Sequence, residues 1–92
     1  MRAYRGRSVP VRELQIYSRR GCHLCEDMIE ELLRLARPYE VSLRVLDVDT
    51  RPEWQAELGL RVPVVFADGL ELSGCPLDRV AVRAWLTETP RL

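Results

Sequence analysis

Ninety-two residues, 47% of them hydrophobic and 30% charged, are enough chain for one small core but not two, and too apolar to stay unfolded. Fourteen basic residues balance 14 acidic ones, so no bulk field draws the chain to nucleic acid or to an anionic membrane. No stretch approaches the ~20 apolar residues of a membrane-spanning helix. Every basic residue is Arg and there is no Lys, which removes lysine-base and Schiff-base chemistry, because Arg keeps its proton at any working pH.

Residues 1–11 hold Arg2, Arg5 and Arg7 around Gly6 and Pro10, with no periodic apolar pattern. They are expected to form a flexible basic N-terminal tail, with the domain spanning residues 12–92. No apolar run follows these arginines, so the segment does not read as a secretory signal. Three cysteines, Cys22, Cys25 and Cys75, are too few and odd in number for a secreted disulfide scaffold, and a reducing cytoplasm is the expected compartment.

The first strand is expected over Glu13–Tyr17, where Leu14 and Ile16 alternate with polar neighbours. Ser18-Arg19-Arg20-Gly21 makes a loop. From His23 to Arg37 the period becomes helical: Leu24, Met28, Leu32 and Leu35 form one stripe, with Cys25, Ile29, Leu33 and Ala36 beside it. Glu26 and Asp27 suit the helix start, Arg34 and Arg37 its end, and Pro38 stops it. Val41, Leu43 and Val45 alternate, then Leu46 and Val48 continue with a shifted phase, giving a second strand that ends at Asp47-Val48-Asp49. Thr50-Arg51-Pro52-Glu53 reads as a capping box, with Thr50 as N-cap of a short helix to Leu58 and Gly59 at its end.

Val62–Ala67 is a nearly continuous apolar run and reads as a central strand. Asp68-Gly69 is the strongest hairpin signal in the chain, with Leu70–Ser73 returning. Gly74 breaks that strand. Pro76 opens a last helix whose inward face is read as Leu77, Val80, Ala81, Ala84 and Trp85. The order β-α-β-α-β-β-α, within residues 12–88, is an α/β fold. Its two strand–helix–strand units imply parallel neighbours and its hairpin an antiparallel edge: a four-stranded mixed sheet flanked by helices.

Cys22-His23-Leu24-Cys25 sits where the first strand turns into the first helix. A sulfur there faces unpaired backbone N–H groups and the positive end of the helix dipole, and both favour the thiolate. Arg19 and Arg20 add to this; Glu26 and Asp27 oppose it. Residues three apart share a helix face, so Cys25 reaches back to Cys22. Cys22, at the helix mouth, is expected to attack, and Cys25, on the apolar stripe, to resolve the mixed disulfide. Two small buried thiols are the plainer alternative. A zinc site drawn from Cys22, His23, Cys25 and Cys75 is another, weakened by the lack of a second Cys-x-x-Cys. An iron–sulfur cluster held between two chains through Cys22 is a third, and a redox-inactive adaptor a fourth. His23 either tunes the thiolate or is an exposed first-turn residue. Cys75 is either a third redox thiol or a small residue in a tight turn. Asp47 and Asp49 read as solvated strand-end carboxylates, Trp85 as core, and Trp54 as core or partly exposed.

The run Tyr17-Ser18-Arg19-Arg20-Gly21-Cys22-His23-Leu24-Cys25 resembles the active-site segment of the glutaredoxins. Arg61-Val62-Pro63-Val64 is similar to their threonine-valine-proline segment, and Ser73-Gly74-Cys75 to their Gly-Gly turn. The resemblance covers about residues 12–88 and is nearest to the small bacterial glutaredoxin-like proteins with a Cys-His-Leu-Cys site. It implies a thioredoxin-like fold and a cytoplasmic thiol–disulfide oxidoreductase, active in cell redox homeostasis. It also implies a cis Val62–Pro63 peptide that turns the Val62 backbone toward an extended substrate. Arg19, Val62, Pro63 and Gly74 become substrate-binding residues, Arg19 toward a glutathione carboxylate. No cofactor or metal is expected to be bound. The resemblance implies glutathione as a co-substrate, disulfide-bearing proteins or glutathione mixed disulfides as substrates, and glutathione or a thioredoxin-type donor as reductant. Three positions depart from the family pattern: His23 replaces a proline, Arg61 a threonine, and Pro76-Leu77 a polar and acidic pair, Pro76 having no N–H to donate.

Overall fold

The computed structural model describes residues 12–88; the expected basic tail, residues 1–11, lies outside them. Seven main elements follow in order: β1 (Arg12–Ser18), α1 (His23–Ala36), β2 (Val41–Asp47), α2 (Pro52–Leu58), β3 (Val64–Ala67), β4 (Leu70–Ser73) and α3 (Arg79–Thr87). A 3-10 turn, Val48–Thr50, lies between β2 and α2. The sheet order is β2-β1-β3-β4. This is the mixed α/β architecture expected.

One expectation about pairing changes. β1 and β2 are parallel, with Leu14 opposite Leu43 and Ile16 opposite Val45. The second strand–helix–strand unit, however, does not make parallel neighbours. β3 runs antiparallel to β1, with Ile16 opposite Val65. A short α2 carries the chain across the sheet, and β3 then enters from the end where β1 leaves. The apolar run did identify β3 as interior, since it pairs with β1 on one side and β4 on the other.

The period of two sorts the strands into two cores. Leu14 and Ile16 of β1 and Val65 and Ala67 of β3 pack with Met28, Leu32 and Ala36 of α1 and with Val82, Trp85 and Leu86 of α3. The opposite sheet face carries Tyr17, Val64 and Phe66, covered by Val48, Trp54 and Leu58. Tyr17 there meets Trp54 and Phe66 edge-on, at 5.3 Å and 5.4 Å between ring centroids. The phase shift in β2 has the same cause. Val41 and Leu43 pack on the first core, Val48 is buried in the second, and Val45 is left exposed at the sheet edge.

Both long helices are rotated from their expected faces. In α1 the buried line is Cys25, Met28, Leu32 and Ala36, while Leu24 is 58% and Leu33 51% exposed. Cys22 as N-cap turns Cys25 inward, and that carries Leu24 out. In α3 the helix starts at Arg79, not at Pro76, because the Asp78 carboxylate accepts the Ala81 N–H at 3.0 Å. The buried set becomes Val82, Trp85 and Leu86, and Val80 is 80% exposed. The Thr50 capping box does not form. Arg51 is the N-cap of α2, without a side-chain cap. Thr50 belongs to the 3-10 turn, and its hydroxyl donates to the Asp47 carbonyl at 2.6 Å.

The hairpin is closed by left-handed residues at both central positions, Asp68 with φ 53° and Gly69 with φ 77°. Asp68 also accepts the Trp85 indole N–H at 2.9 Å, which ties the turn to α3. Asp68→Ala loses that bond and the local tolerance of a left-handed backbone, and is expected to cost about 1–3 kcal/mol in urea unfolding. Asp68→Asn keeps both and is expected to stay close to wild type. Equal stability of the two variants would remove the turn–helix tie from the account.

Candidate active site

Four loops meet at one end of the sheet. β1 leaves there into Arg19–Cys22. Ser18 pairs with Asp47, so β2 leaves there too. Tyr17 pairs with antiparallel Val64, so Val62 and Pro63 enter at the same end. Ser73 pairs with Val65, so Gly74 and Cys75 leave β4 there. The topology therefore gathers Arg19, Arg20, Cys22, His23, Val62, Pro63, Gly74 and Cys75, which lie far apart in sequence, at one pole.

Cys22 and Cys25 are joined as a disulfide, with 5.2 Å between their Cα atoms. Cys22 is the N-cap of α1, and its Sγ accepts the Cys25 N–H at 3.2 Å. The extended backbone of Cys22, φ −97° and ψ 108°, is the usual N-cap conformation, with sulfur in the place of a Ser or Asp oxygen. The two sulfurs differ in access: Cys22 is half-buried, whereas Cys25 is 1% exposed. Gly21, φ 71°, supplies the left-handed step that turns β1 into the helix mouth.

His23 projects into solvent, its side chain 94% exposed and 4.0 Å from Glu26. It therefore takes the exposed first-turn position. Arg20 is exposed in the turn. Cys75 is an exposed free thiol. The Val62–Pro63 and Cys75–Pro76 peptides are both cis. Pro63 is buried and Val62 half-buried. Ser73, buried at the end of β4, donates to the Gly74 carbonyl and accepts the Asp78 N–H, both at 2.8 Å. It thereby joins the Cys75 loop to the start of α3. Among the described residues no group of three or more His, Cys, Asp or Glu is placed to hold a metal ion. No helix among the described residues is long and apolar enough to cross a membrane.

Arg19 takes a position its sequence did not suggest. Its Nε and Nη2 donate to the two carboxylate oxygens of Asp49, at 2.9 and 3.1 Å, and its Nη1 to the Gly59 carbonyl at 3.0 Å. Gln55 of α2 donates to Asp49 as well, at 2.9 Å. Asp49 is thus paired and not merely a solvated strand-end carboxylate. The only hint in the sequence was an arginine and an aspartate 30 residues apart, which no local pattern connects. Asp47 behaves more locally, its Oδ1 accepting the Asp49 N–H at 2.9 Å.

The residues on this scaffold match a known family. The model of the glutaredoxin-like domain family (DUF836) matches residues 13–87. The chain belongs to that family. This glutaredoxin-like domain is 32% identical over 77 residues to an uncharacterized protein of Mycobacterium tuberculosis, a match covering 78% of this chain and 79% of the relative. The solution structure of protein Ne2328 from Nitrosomonas europaea superposes with a TM-score of 0.77 at 36% identity, covering 88% of this chain and 98% of that one. Thioredoxin 1 of Thermosipho africanus superposes with a TM-score of 0.54 at 18% identity, over 79% of this chain and 90% of its own. That likeness gives the thioredoxin fold alone.

The ion pair sets a pH dependence. Hydrogen bonds from Arg19 first and Gln55 second hold the Asp49 carboxyl below its ordinary value of 3.8. The same pairing raises Arg19 above its own ordinary value. A carboxyl whose folded pKa is depressed contributes stability that is fully present above the unfolded value and lost as pH falls through the folded one. The stability gap between wild type and Asp49→Asn is therefore expected to be level from neutral pH down to ordinary carboxylate titration, and to close only below 3.8. Urea midpoints of both proteins across that range check it; a gap closing near pH 6 would put the dependence on another group.

Proposed function

We propose that this domain is a thiol–disulfide oxidoreductase that uses the Cys22–Cys25 dithiol to reduce protein disulfides or glutathione mixed disulfides in a reducing cytoplasm. The observation that carries the reading is the asymmetry of the pair: a half-exposed Cys22 sulfur bonded to a helix N-terminal N–H, and a buried Cys25 three residues on. When the pair is reduced, the Cys25 N–H and the first turn of α1 stabilise negative charge on Cys22. The accessible sulfur is then the nucleophile and the buried one the resolving thiol.

The exchange balances in two displacements. The Cys22 thiolate attacks one sulfur of the substrate disulfide. A Cys22–substrate S–S bond forms, the substrate S–S bond breaks, and the other substrate sulfur leaves as a thiolate that takes a proton from solvent. The Cys25 thiol gives its proton to solvent and attacks Cys22 Sγ. The intramolecular disulfide closes, the mixed disulfide breaks, and the second substrate thiolate leaves and is protonated. Two electrons pass from the dithiol to the substrate. Two molecules of glutathione, or one dithiol of a thioredoxin-type donor, return them and become the corresponding disulfide.

Val62, Pro63 and Gly74 are proposed as the groove wall. They begin and end strands at the pole that carries Cys22, and a peptide laid across them can pair with backbone groups in the manner of strand addition.

Mass spectrometry of the protein equilibrated anaerobically across graded ratios of reduced and oxidised glutathione tests the reading. A two-proton mass loss mapped to Cys22–Cys25 within the cytosolic range of potentials is the expected result. A preparation that forms neither this disulfide nor a glutathione adduct, and carries metal in its native mass, would sink it in favour of a metal-binding module.

The variants separate the two roles. Cys22→Ser is expected to abolish reduction of every disulfide. Cys25→Ser is expected to stop dithiol reduction of protein disulfides and to spare glutathione mixed disulfides, which need only the attacking thiol. Equal loss in both variants toward the glutathione substrate would overturn the assignment of attack to Cys22 alone.

A further inference from the structure

We infer that Asp49 is a positioning residue for this exchange: with Gln55 it holds the Arg19 guanidinium as a strut between the Cys22 loop and the segment leading to Pro63, so that Arg19 sets the groove and does not recognise an anionic substrate. The inference rests on the oxidoreductase reading above and deepens it.

The strut joins three loops through one side chain. At its near end, the Arg19 carbonyl accepts the Cys22 N–H at 3.3 Å, so the arginine and the reactive cysteine share one turn. At its far end, the guanidinium grips Asp49 with two parallel hydrogen bonds and the Gly59 carbonyl with a third. Gly59 precedes Val62 by three residues. The intervening turn is short and tied, since the Arg61 N–H donates to the Leu58 carbonyl at 2.8 Å. A shift of Gly59 is therefore passed to Val62 and Pro63. The approach at Gly59 is close: a Cβ there would lie 2.5 Å from the Gln55 carbonyl oxygen and 3.4 Å from Arg19 Nη2.

Two features separate a strut from an anion-binding cation. The fork of the guanidinium, the edge that matches a carboxylate geometrically, is already filled by Asp49. A substrate carboxylate would have to displace an internal one that Gln55 also holds. Moreover, the pair is more than a third exposed, with side chains 37% and 41% accessible, and pairs open to solvent add little stability. The chain keeps a bidentate contact to Asp49 and a third bond to the Gly59 carbonyl where the energetic return is small, at a place that links the Cys22 loop to the segment leading to Pro63. Lysine would preserve the charge but not the fork.

Steady-state kinetics on the full chain with two substrates test this: glutathione disulfide, which is anionic, and a disulfide of blocked, neutral cysteine peptides. Asp49→Asn and Arg19→Lys are each expected to raise KM about tenfold for both substrates alike, as a displaced groove does, with kcat and the midpoint potential of Cys22–Cys25 unchanged. Wild-type KM in either variant would overturn the inference. So would a loss confined to glutathione disulfide, which would make Arg19 an anion-recognition residue. A potential that moves in step with the rate would make it a thiolate-tuning one, and failure of Asp49→Asn to fold would make the pair a stability element. Inactivity of the wild-type chain toward both disulfides would instead sink the oxidoreductase reading, and the role of Asp49 with it.

Discussion

Strand β1 is the constraint on which the rest of the molecule depends. It is hydrogen-bonded along both edges, to β2 and to β3, and covered on both faces. Leu14 and Ile16 are fully buried in one core, and Tyr17 is packed against the other. A strand so enclosed has one register, because a slip by one residue would send Leu14 and Ile16 to the α2 face and Tyr17 toward α1. Its last residue, Ser18, is therefore fixed, and so is the point from which Arg19 to Cys22 depart. The sulfur that caps α1 owes its position to apolar side chains several residues upstream as well as to its own bond with the Cys25 N–H.

Much of this was readable because it is local. The Asp68-Gly69 turn, the alternation in β1 and the stop at Pro38 depend on neighbours in sequence, and each appears where its residues indicate. The pairing of β3 with β1 was not readable, since the strand–helix–strand pattern is shared by parallel and antiparallel arrivals, and a seven-residue α2 lets the chain cross the sheet. The helix faces were readable only to within a rotation. Leucines mark a stripe, but the residue that fixes the phase is the cap. Cys22 and Asp78 both cap through side chains, and each moves a Leu or Val from the expected interior to solvent.

At the site, the cysteine pair and its helix mouth are plain in four residues of sequence. The arrangement around them is not. Arg19 looks like a cation awaiting an anion when read beside Cys22; across space it is already matched by Asp49, which Gln55 also holds, and by the Gly59 carbonyl. Ser73 reads as the last residue of a strand, yet its hydroxyl couples the Gly74–Cys75 loop to the cap of α3. The Arg19 contact is long-range, and the Ser73 contact crosses from the end of a strand to the cap of the next helix. Single-residue propensities carry no information about such partners.

Arg12 has a related effect at the other pole. Its guanidinium lies 3.8 Å over the Trp85 ring and donates to the carbonyls of Trp85, Leu86 and Glu88, at the end of α3 where the Trp85 carbonyl also accepts the Glu88 N–H. The first described residue of the chain is thus stapled to the last described turn, at the opposite end of β1 from Cys22. In connectivity the fold is nearly a closed ring, with its seam and its disulfide at antipodes. A permuted chain, with residues 12 and 88 bridged by a short linker, would close that ring without crossing any loop that borders Cys22.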